Sequence, residues 1–220
     1  LAELARITAM SLEETEADVR QLEEAGRARV FSMRKDVFVW HTDSERAALL
    51  NMLELLKEYE AKHPYRYGMK KAEVQTACFK RMKPNVFDKV VESYEEAGQI
   101  KRVDEFLCTM DYEVLKDKTY DVVSEKLLST FEKAKYDFVR YSEIDFGKVP
   151  ADVTDDILNI LLEEEHVIKV TDDMYTLTSY MKEAERIIRE KLKEAPIITI
   201  AQVRDLFATS RKSAKPILEY

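Results

Sequence analysis

A short motif occurs three times along the chain and constrains the fold more than any other feature. The copies are Leu22-Glu-Glu-Ala-Gly-Arg-Ala-Arg-Val30, Tyr94-Glu-Glu-Ala-Gly-Gln-Ile-Lys-Arg-Val103 and Leu162-Glu-Glu-Glu-His-Val-Ile-Lys-Val170. They begin at residues 22, 94 and 162, so they lie 72 and then 68 residues apart. A repeat of this length indicates a series of similar small folding units rather than one large domain.

Each copy predicts the end of a helix followed by a β-hairpin. A long amphipathic stretch precedes each copy, and the helix should end at a residue that tolerates positive φ. These residues are Gly26, Gly98 and His166. Two β-prone segments separated by a polar turn then follow. The predicted strand pairs are Arg29–Met33 with Val37–Trp40, Ile100–Val103 with Phe106–Thr109, and Val167–Val170 with Met174–Leu177.

Further helices complete the pattern. Shorter helices are predicted upstream of the long ones, at Leu1–Thr8, Lys70–Cys78 and Tyr141–Asp145. Amphipathic stretches between the hairpins would supply the first helix of each following unit, at Asp43–Tyr59, Tyr120–Lys133 and Tyr180–Lys193. Helix, turn, helix and hairpin is the winged-helix plan. We therefore expect a mostly α chain with small β-hairpins (α+β), built as tandem winged-helix units.

The repeat also predicts where the units divide. We expect units at residues 1–42, without a first helix; 43–112; 113–178; and 179–220, without a wing. Each amphipathic helix is expected to cover a small core of its own. Both ends of the chain look truncated on this plan, as in a fragment of a longer protein.

The composition argues against several classes of function. The two cysteines, Cys78 and Cys108, form neither a disulfide framework nor a metal motif, and a reducing cytoplasm is the expected location. The three histidines have no metal-ligand spacing, and no phosphate-binding glycine loop is present. No apolar run is long enough to span a membrane. We predict no catalytic residue, no metal and no cofactor in this chain.

Charge is distributed unevenly, and the last predicted unit is the basic one. The whole chain has a net charge of -8. Residues 179–220 contain nine Lys and Arg against six Asp and Glu, a net +3 that leaves -11 for the rest. The segment Thr209-Ser-Arg-Lys-Ser-Ala-Lys215 places hydroxyls and three cations at a predicted helix N-terminus, where the helix dipole favours an anion. A phosphate would be bound well there.

This segment also carries a family resemblance. The stretch from Ile198 to Tyr220, with its Arg-Asp, Ser-Arg-Lys and Leu-Glu-Tyr groups, resembles the last winged helix of the bacterial selenocysteine-specific elongation factor SelB. The resemblance implies an mRNA-binding adaptor: the last unit would grip the selenocysteine insertion hairpin, and the other units would be spacers. GTP, magnesium and selenocysteyl-tRNA would bind a part of the factor outside this chain, which would act on the ribosome.

The resemblance further implies which residues face RNA. Carried over position by position, they are Gln202, Arg204, Thr209, Ser210, Arg211, Lys212 and Lys215. For Ser210 alone, helix capping is favoured over nucleophilic chemistry, because no histidine lies nearby in the sequence. Likewise, Phe38 and Trp40 are expected to cover a core rather than to stack on bases.

A second basic cluster lies at residues 62–83, with seven Lys and Arg against one Glu and with Tyr65 and Tyr67 among them. One interpretation is a further RNA contact, because cations and stackable aromatic rings suit folded RNA. The other is a solvated surface whose tyrosines pack inward. Both remain open at the level of sequence. The candidate contact residues are Lys70, Lys71, Lys80, Arg81 and Lys83.

An alternative function belongs to a different class. Winged helices also bind duplex DNA or serve as protein scaffolds, and this chain carries acidic surfaces compatible with a scaffold. A transcription-type DNA reader or a scaffold therefore stands beside the RNA-binding interpretation.

Overall fold

The computed structural model of the chain describes residues 1–33 and 37–220, which form two compact units, Leu1–Glu113 and Val114–Tyr220. In each unit, helices alternate with short antiparallel hairpins in the order predicted from the repeat. The chain is an α+β protein of tandem winged-helix modules.

The first unit contains the first two hairpins. Its elements are α1 (Ala2–Thr8), α2 (Leu12–Glu24), β1 (Ala28–Ser32), β2 (Val37–His41), α3 (Thr42–Lys62), β3 (Met69–Lys70), α4 (Lys71–Cys78), α5 (Pro84–Glu96), β4 (Lys101–Val103) and β5 (Phe106–Cys108). Ser11 caps α2 in a reciprocal capping box with Glu14, which satisfies amide groups at the helix start.

The second unit contains the third hairpin and ends in three helices. Its elements are α6 (Lys118–Ala134), β6 (Val139–Arg140), a 3-10 turn (Tyr141–Glu143), α7 (Ala151–Glu163), β7 (Val167–Thr171), β8 (Met174–Leu177), α8 (Thr178–Glu194), α9 (Ile200–Leu206) and α10 (Arg211–Glu219).

Two short strands were not predicted from sequence. β3 pairs antiparallel with β5, so that Met69 lies opposite Leu107, and β6 pairs with β8, so that Val139 lies opposite Tyr175. The second and third hairpins thereby become three-stranded sheets, whereas β1 and β2 form a two-stranded sheet. A strand of two residues is too short to show the alternation of apolar and polar residues. These strands form only by pairing with a hairpin that is distant in sequence.

The helix ends in the repeat share one hydrogen-bond pattern. The amides of Arg27, Gln99 and His166 donate to carbonyls five residues earlier, at Leu22, Tyr94 and Leu161. Gly26 and Gly98 adopt positive φ as predicted, but in the third copy the residue at positive φ (55°) is Glu165, not His166. When the three copies of the motif are aligned with one another, the helix of the third copy therefore ends one residue early. Its residue with positive φ, unlike the two glycines, carries a Cβ.

The helix predicted at Tyr141–Asp145 is wrong. Only Tyr141–Glu143 forms a single 3-10 turn. The Asp173 carboxylate accepts the Ser142 amide and hydroxyl, and the Asp145 carboxylate accepts the amide of Gly147, which has a φ of 66°. Side chains thus satisfy the amides that a longer helix would have used.

The first unit has one core shared by both of its hairpins. Phe31 from β1 is buried together with Met52 and Leu56 from α3 and with Phe87 from α5. The partly buried Phe38 and Trp40 pack against this core, with the Trp40 ring 6.2 Å edge-on from Phe79. The prediction that these two rings cover a core is confirmed. Side chains of the first predicted unit thus contribute to the core that α3 covers.

The second unit shows the same sharing. A cluster of buried residues joins Phe138, which directly precedes β6, and Met174 of β8 to Met181 on α8 and to Val203 and Ile217 on the last two helices. Small apolar faces of about one helix each bury too little area to fold alone. A core shared between two copies buries more apolar area than either copy would bury alone.

A polar contact ties the two halves of the first unit together, and its loss should be costly. Arg29 on β1 donates to the Glu45 carboxylate of α3 and to the Ser93 hydroxyl of α5. The Glu45 side chain is 7% exposed, whereas that of Arg29 is 40% exposed. We expect Arg29→Ala to lower the unfolding free energy by about 2 kcal/mol, because it leaves a buried carboxylate unpaired. The loss is not larger, because solvent screens the partly exposed Arg29 and so weakens the ion pair.

Denaturant unfolding of the chain measures this loss. Arg27→Ala, which removes an exposed cation at the start of the same hairpin, is the matched control and should cost less than about 0.5 kcal/mol. Equal losses in the two variants would contradict a specific role for Arg29.

Candidate nucleic-acid interface

α9 and α10 form the last helix-turn-helix, and α10 is its second helix. Ser210 caps α10 by accepting the Ser213 amide, which confirms the capping role predicted for it. The side of α10 that carries Ala214, Pro216 and Ile217 is buried. The opposite side is left to solvent.

Three cations project from that outer side. Arg211, Lys212 and Lys215 are all exposed. Lys215 lies 3.3 Å from Glu219, and both of these side chains are more than 60% exposed, so the pair is weak. Arg211 and Lys212 have no ion pair within residues 1–33 and 37–220. This pair of free cations at the start of a helix is suited to bind phosphate.

Thr209 and Ser210 are engaged within the protein. The Thr209 hydroxyl lies 2.8 Å from the Tyr136 carbonyl oxygen and 2.5 Å from Oδ1 of Asp137. The same oxygen accepts the Ser210 amide at 3.2 Å, and the Tyr136 ring packs on Phe207 with centroids 4.6 Å apart. The Asp137 carboxylate therefore already accepts the amide of the cap residue Ser210, and phosphate is left to the side chains of the first turn of α10.

Asp137 and Tyr136 were not singled out from sequence. They precede α10 by more than 70 residues, and neither forms part of a local motif. We name the contact of Asp137 with Thr209 and Ser210 the α10 latch.

The remaining two predicted residues are also engaged within α9. The Gln202 side-chain oxygen accepts the Thr199 amide at 2.8 Å in a capping box. Arg204 donates to the neighbouring Asp205 carboxylate through Nε at 2.7 Å and Nη2 at 2.5 Å. The predicted set thus lies together around α9 and α10, but Arg211, Lys212 and Lys215 are its most available members.

The α10 latch should behave as one energetic unit. Asp137→Ala and Thr209→Val each break the same hydrogen bond, so we expect the double variant to lose about 1 kcal/mol less unfolding free energy than the sum of the single losses. Unfolding curves of the four proteins measure this coupling.

The control pairs Thr209→Val with Asp121→Ala. Asp121 lies near the start of α6 and Asp137 follows the end of that helix, roughly 20 Å away at 1.5 Å per residue. These two losses should add. Additive losses for Asp137 and Thr209 as well would show that the latch contributes nothing to stability.

The second basic cluster is divided by its partners. Lys70 pairs with Glu105 at 3.1 Å, and Lys71 pairs with Asp88 at 2.8 Å. Lys80, Arg81 and Lys83 are exposed in the turn between α4 and α5. Tyr65 is buried, and the half-buried Tyr67 ring packs 6.4 Å from Phe106. The tyrosines therefore belong to the packed structure and leave the cations as the candidate contact.

Other kinds of site have little support in the described residues. Burial raises the pKa of the Cys78 and Cys108 thiols, which disfavours the reactive thiolate. Within residues 1–33 and 37–220, no group of three His, Cys, Asp or Glu side chains is placed to hold a metal ion. No helix in the same residues is long and apolar enough to cross a membrane.

Comparisons with known proteins agree on one family. Family models described as elongation factor SelB, winged helix, match residues 53–107 and 190–220. A selenocysteine-specific elongation factor from Desulfomicrobium baculatum is 27% identical over 179 residues, covering 76% of this chain and 27% of that protein. The chain thus spans about a quarter of that curated relative.

A solved structure is similar as well. It is described as the bacterial selenocysteine-specific elongation factor EF-Sec, with 16% sequence identity and a TM-score of 0.47. The match covers 87% of this chain and 29% of that protein.

Proposed function

We propose, from the premise that this chain consists of winged-helix domains of the SelB family, that it is the mRNA-binding part of a selenocysteine-specific elongation factor. The last winged helix would bind the selenocysteine insertion hairpin. The modules before it would act as spacer and support.

One observation carries this proposal: Arg211 and Lys212 at the start of α10 are exposed and have no ion pair in the part of the chain that the structure describes. In helix-turn-helix proteins the second helix meets nucleic acid through its N-terminal residues. Phosphate contacts from these cations would orient the hairpin, and base contacts would come from looped-out nucleotides, which are the accessible ones in RNA.

The proposal gives this chain a binding role without catalysis. GTP, its magnesium ion and selenocysteyl-tRNA would be bound by other parts of such a factor. The ribosome would be a further partner, and the cytoplasm would be the location. The role of the chain would be to hold a messenger hairpin while the rest of the factor delivers the tRNA.

Competition binding tests this function against its alternatives. A labelled bulged RNA hairpin is bound to the chain at physiological salt and challenged with unlabelled hairpin or with duplex DNA of equal length. We expect hairpin RNA to compete at least about tenfold better than DNA. A preference for duplex DNA would support a transcription-type reader, and no binding of either nucleic acid would support a scaffold.

A further inference from the structure

The second basic cluster contains an ordered cationic turn. Lys80, Arg81 and Lys83 lie between α4 and α5, the helix-turn-helix of the second module. The turn is held by the Met82 amide, which donates to Phe79, and by the Gln75 side chain, which donates to the Met82 carbonyl at 3.1 Å. The cations therefore project from a fixed backbone, so binding through them orders fewer groups than binding through a mobile loop.

This turn leads directly into α5, whereas Arg211 and Lys212 lie in the first turn of α10. In the repeat, α5 corresponds to α10, since each is the second helix of its helix-turn-helix. Neither helix has an acidic residue in its first turn. By contrast, α2 begins with Glu13 and Glu14, and α7 begins with Asp152. Each compact unit thus has two such second helices. One begins with acidic residues, and the other begins without them and next to cations.

Local ion pairs separate the available cations from the others. Lys70, Lys71 and Lys89 are paired with carboxylates 3.1, 2.8 and 2.6 Å away. Lys80 and Arg81 are exposed and have no ion pair within the described part of the chain. Of the five candidate contact residues in the cluster, these two are therefore the ones most free to replace the counterions of a polyanion.

We propose that Lys80 and Arg81, flanked by Lys83, form a second RNA contact that holds the phosphate backbone of double-helical RNA without reading its sequence. This inference rests on the proposed RNA-binding function for the choice of RNA as the polyanion. The two tyrosines of the cluster, Tyr65 and Tyr67, are packed within the unit, so they do not offer their ring faces for base stacking. It should therefore be salt-dependent and tolerant of sequence.

The test uses the full chain and an unbulged RNA duplex of about 16 base pairs as the probe. Arg211→Ala with Lys212→Ala is the background, so that the last module contributes little. On that background, Lys80→Ala with Arg81→Ala should weaken duplex binding at least about tenfold at 0.1 M salt and lower the salt slope by roughly 2. Lys70→Ala with Lys71→Ala removes the same charge from paired cations and should weaken binding less than about threefold.

Equal effects of the two double variants, or a duplex that the chain does not bind, would overturn the inference. Since Lys80 and Arg81 are exposed, their replacement should leave the thermal unfolding midpoint unchanged. Arg81→Glu provides a second test, in which affinity should fall further than for Arg81→Ala. The bulged hairpin, measured in parallel on the otherwise unaltered chain, reports on the proposed function separately: loss of hairpin selectivity with duplex binding intact contradicts that function alone.

Discussion

Replacing Arg211 and Lys212 together with alanine should lower the affinity of the chain for a bulged RNA hairpin by about 10- to 100-fold near physiological salt. Both side chains lie on the exposed face of α10 and have no ion pair within the described residues. Their charges are therefore available to RNA without first breaking an internal contact. The slope of log affinity against log salt should fall by roughly 1 to 2.

The chain offers a matched control on α8. Arg186 and Arg189 are exposed cations of the same unit, but Glu183, Glu190 and Glu185 lie within 2.9 Å of their guanidinium groups. Arg186→Ala with Arg189→Ala changes the net charge equally, yet it should reduce hairpin affinity less than about threefold. If both double variants weakened binding equally, overall charge rather than the α10 surface would explain the effect.

Phe138→Ala should have the second large effect, through the shared core of the second unit. Phe138 comes from the third copy of the repeat and is 9% exposed, in a cluster with Val203, Phe207 and Ile217 of the last module. Loss of a buried phenyl ring leaves a cavity, so the unfolding free energy should fall by about 3 kcal/mol or more. Because α10 is anchored on this core, hairpin affinity should fall as well.

The comparison for this variant is Phe146→Ala. Phe146 is half-buried and lies outside that cluster, so its replacement should cost about 1 kcal/mol and leave RNA affinity unchanged. Denaturant unfolding and hairpin binding of the two variants decide the matter. A Phe138 variant no less stable than the Phe146 variant would mean that the last module does not depend on the third.

The local features of the fold were predictable because they depend on neighbours in sequence. Helix caps such as Ser11 and Ser210, the glycines that end α2 and α5, and the three hairpins all follow from short patterns. In the third copy the residue with positive φ is Glu165 and not the predicted His166, which shows the limit of such patterns. A helix end can shift by one residue when no glycine marks it.

Features that depend on distant residues were not predictable. The strands β3 and β6 form only against β5 and β8, and the two cores join copies that the repeat presents as separate. At the candidate site, the run of cations near Arg211 was visible in sequence. The contact of the Asp137 carboxylate with the start of α10 was not, because Asp137 lies more than 70 residues earlier in the sequence.

The most direct test of RNA binding by the last module is to locate the RNA by photo-crosslinking. A bulged hairpin carrying photoreactive uridines is bound to the chain in the presence of excess duplex DNA, and the crosslinked peptides are identified by mass spectrometry. We expect crosslinks in residues 199–215, around α9 and the start of α10, and none on α2 or α7. Crosslinks concentrated on α2 or α7, or a signal abolished by the DNA competitor, would contradict RNA recognition by α10.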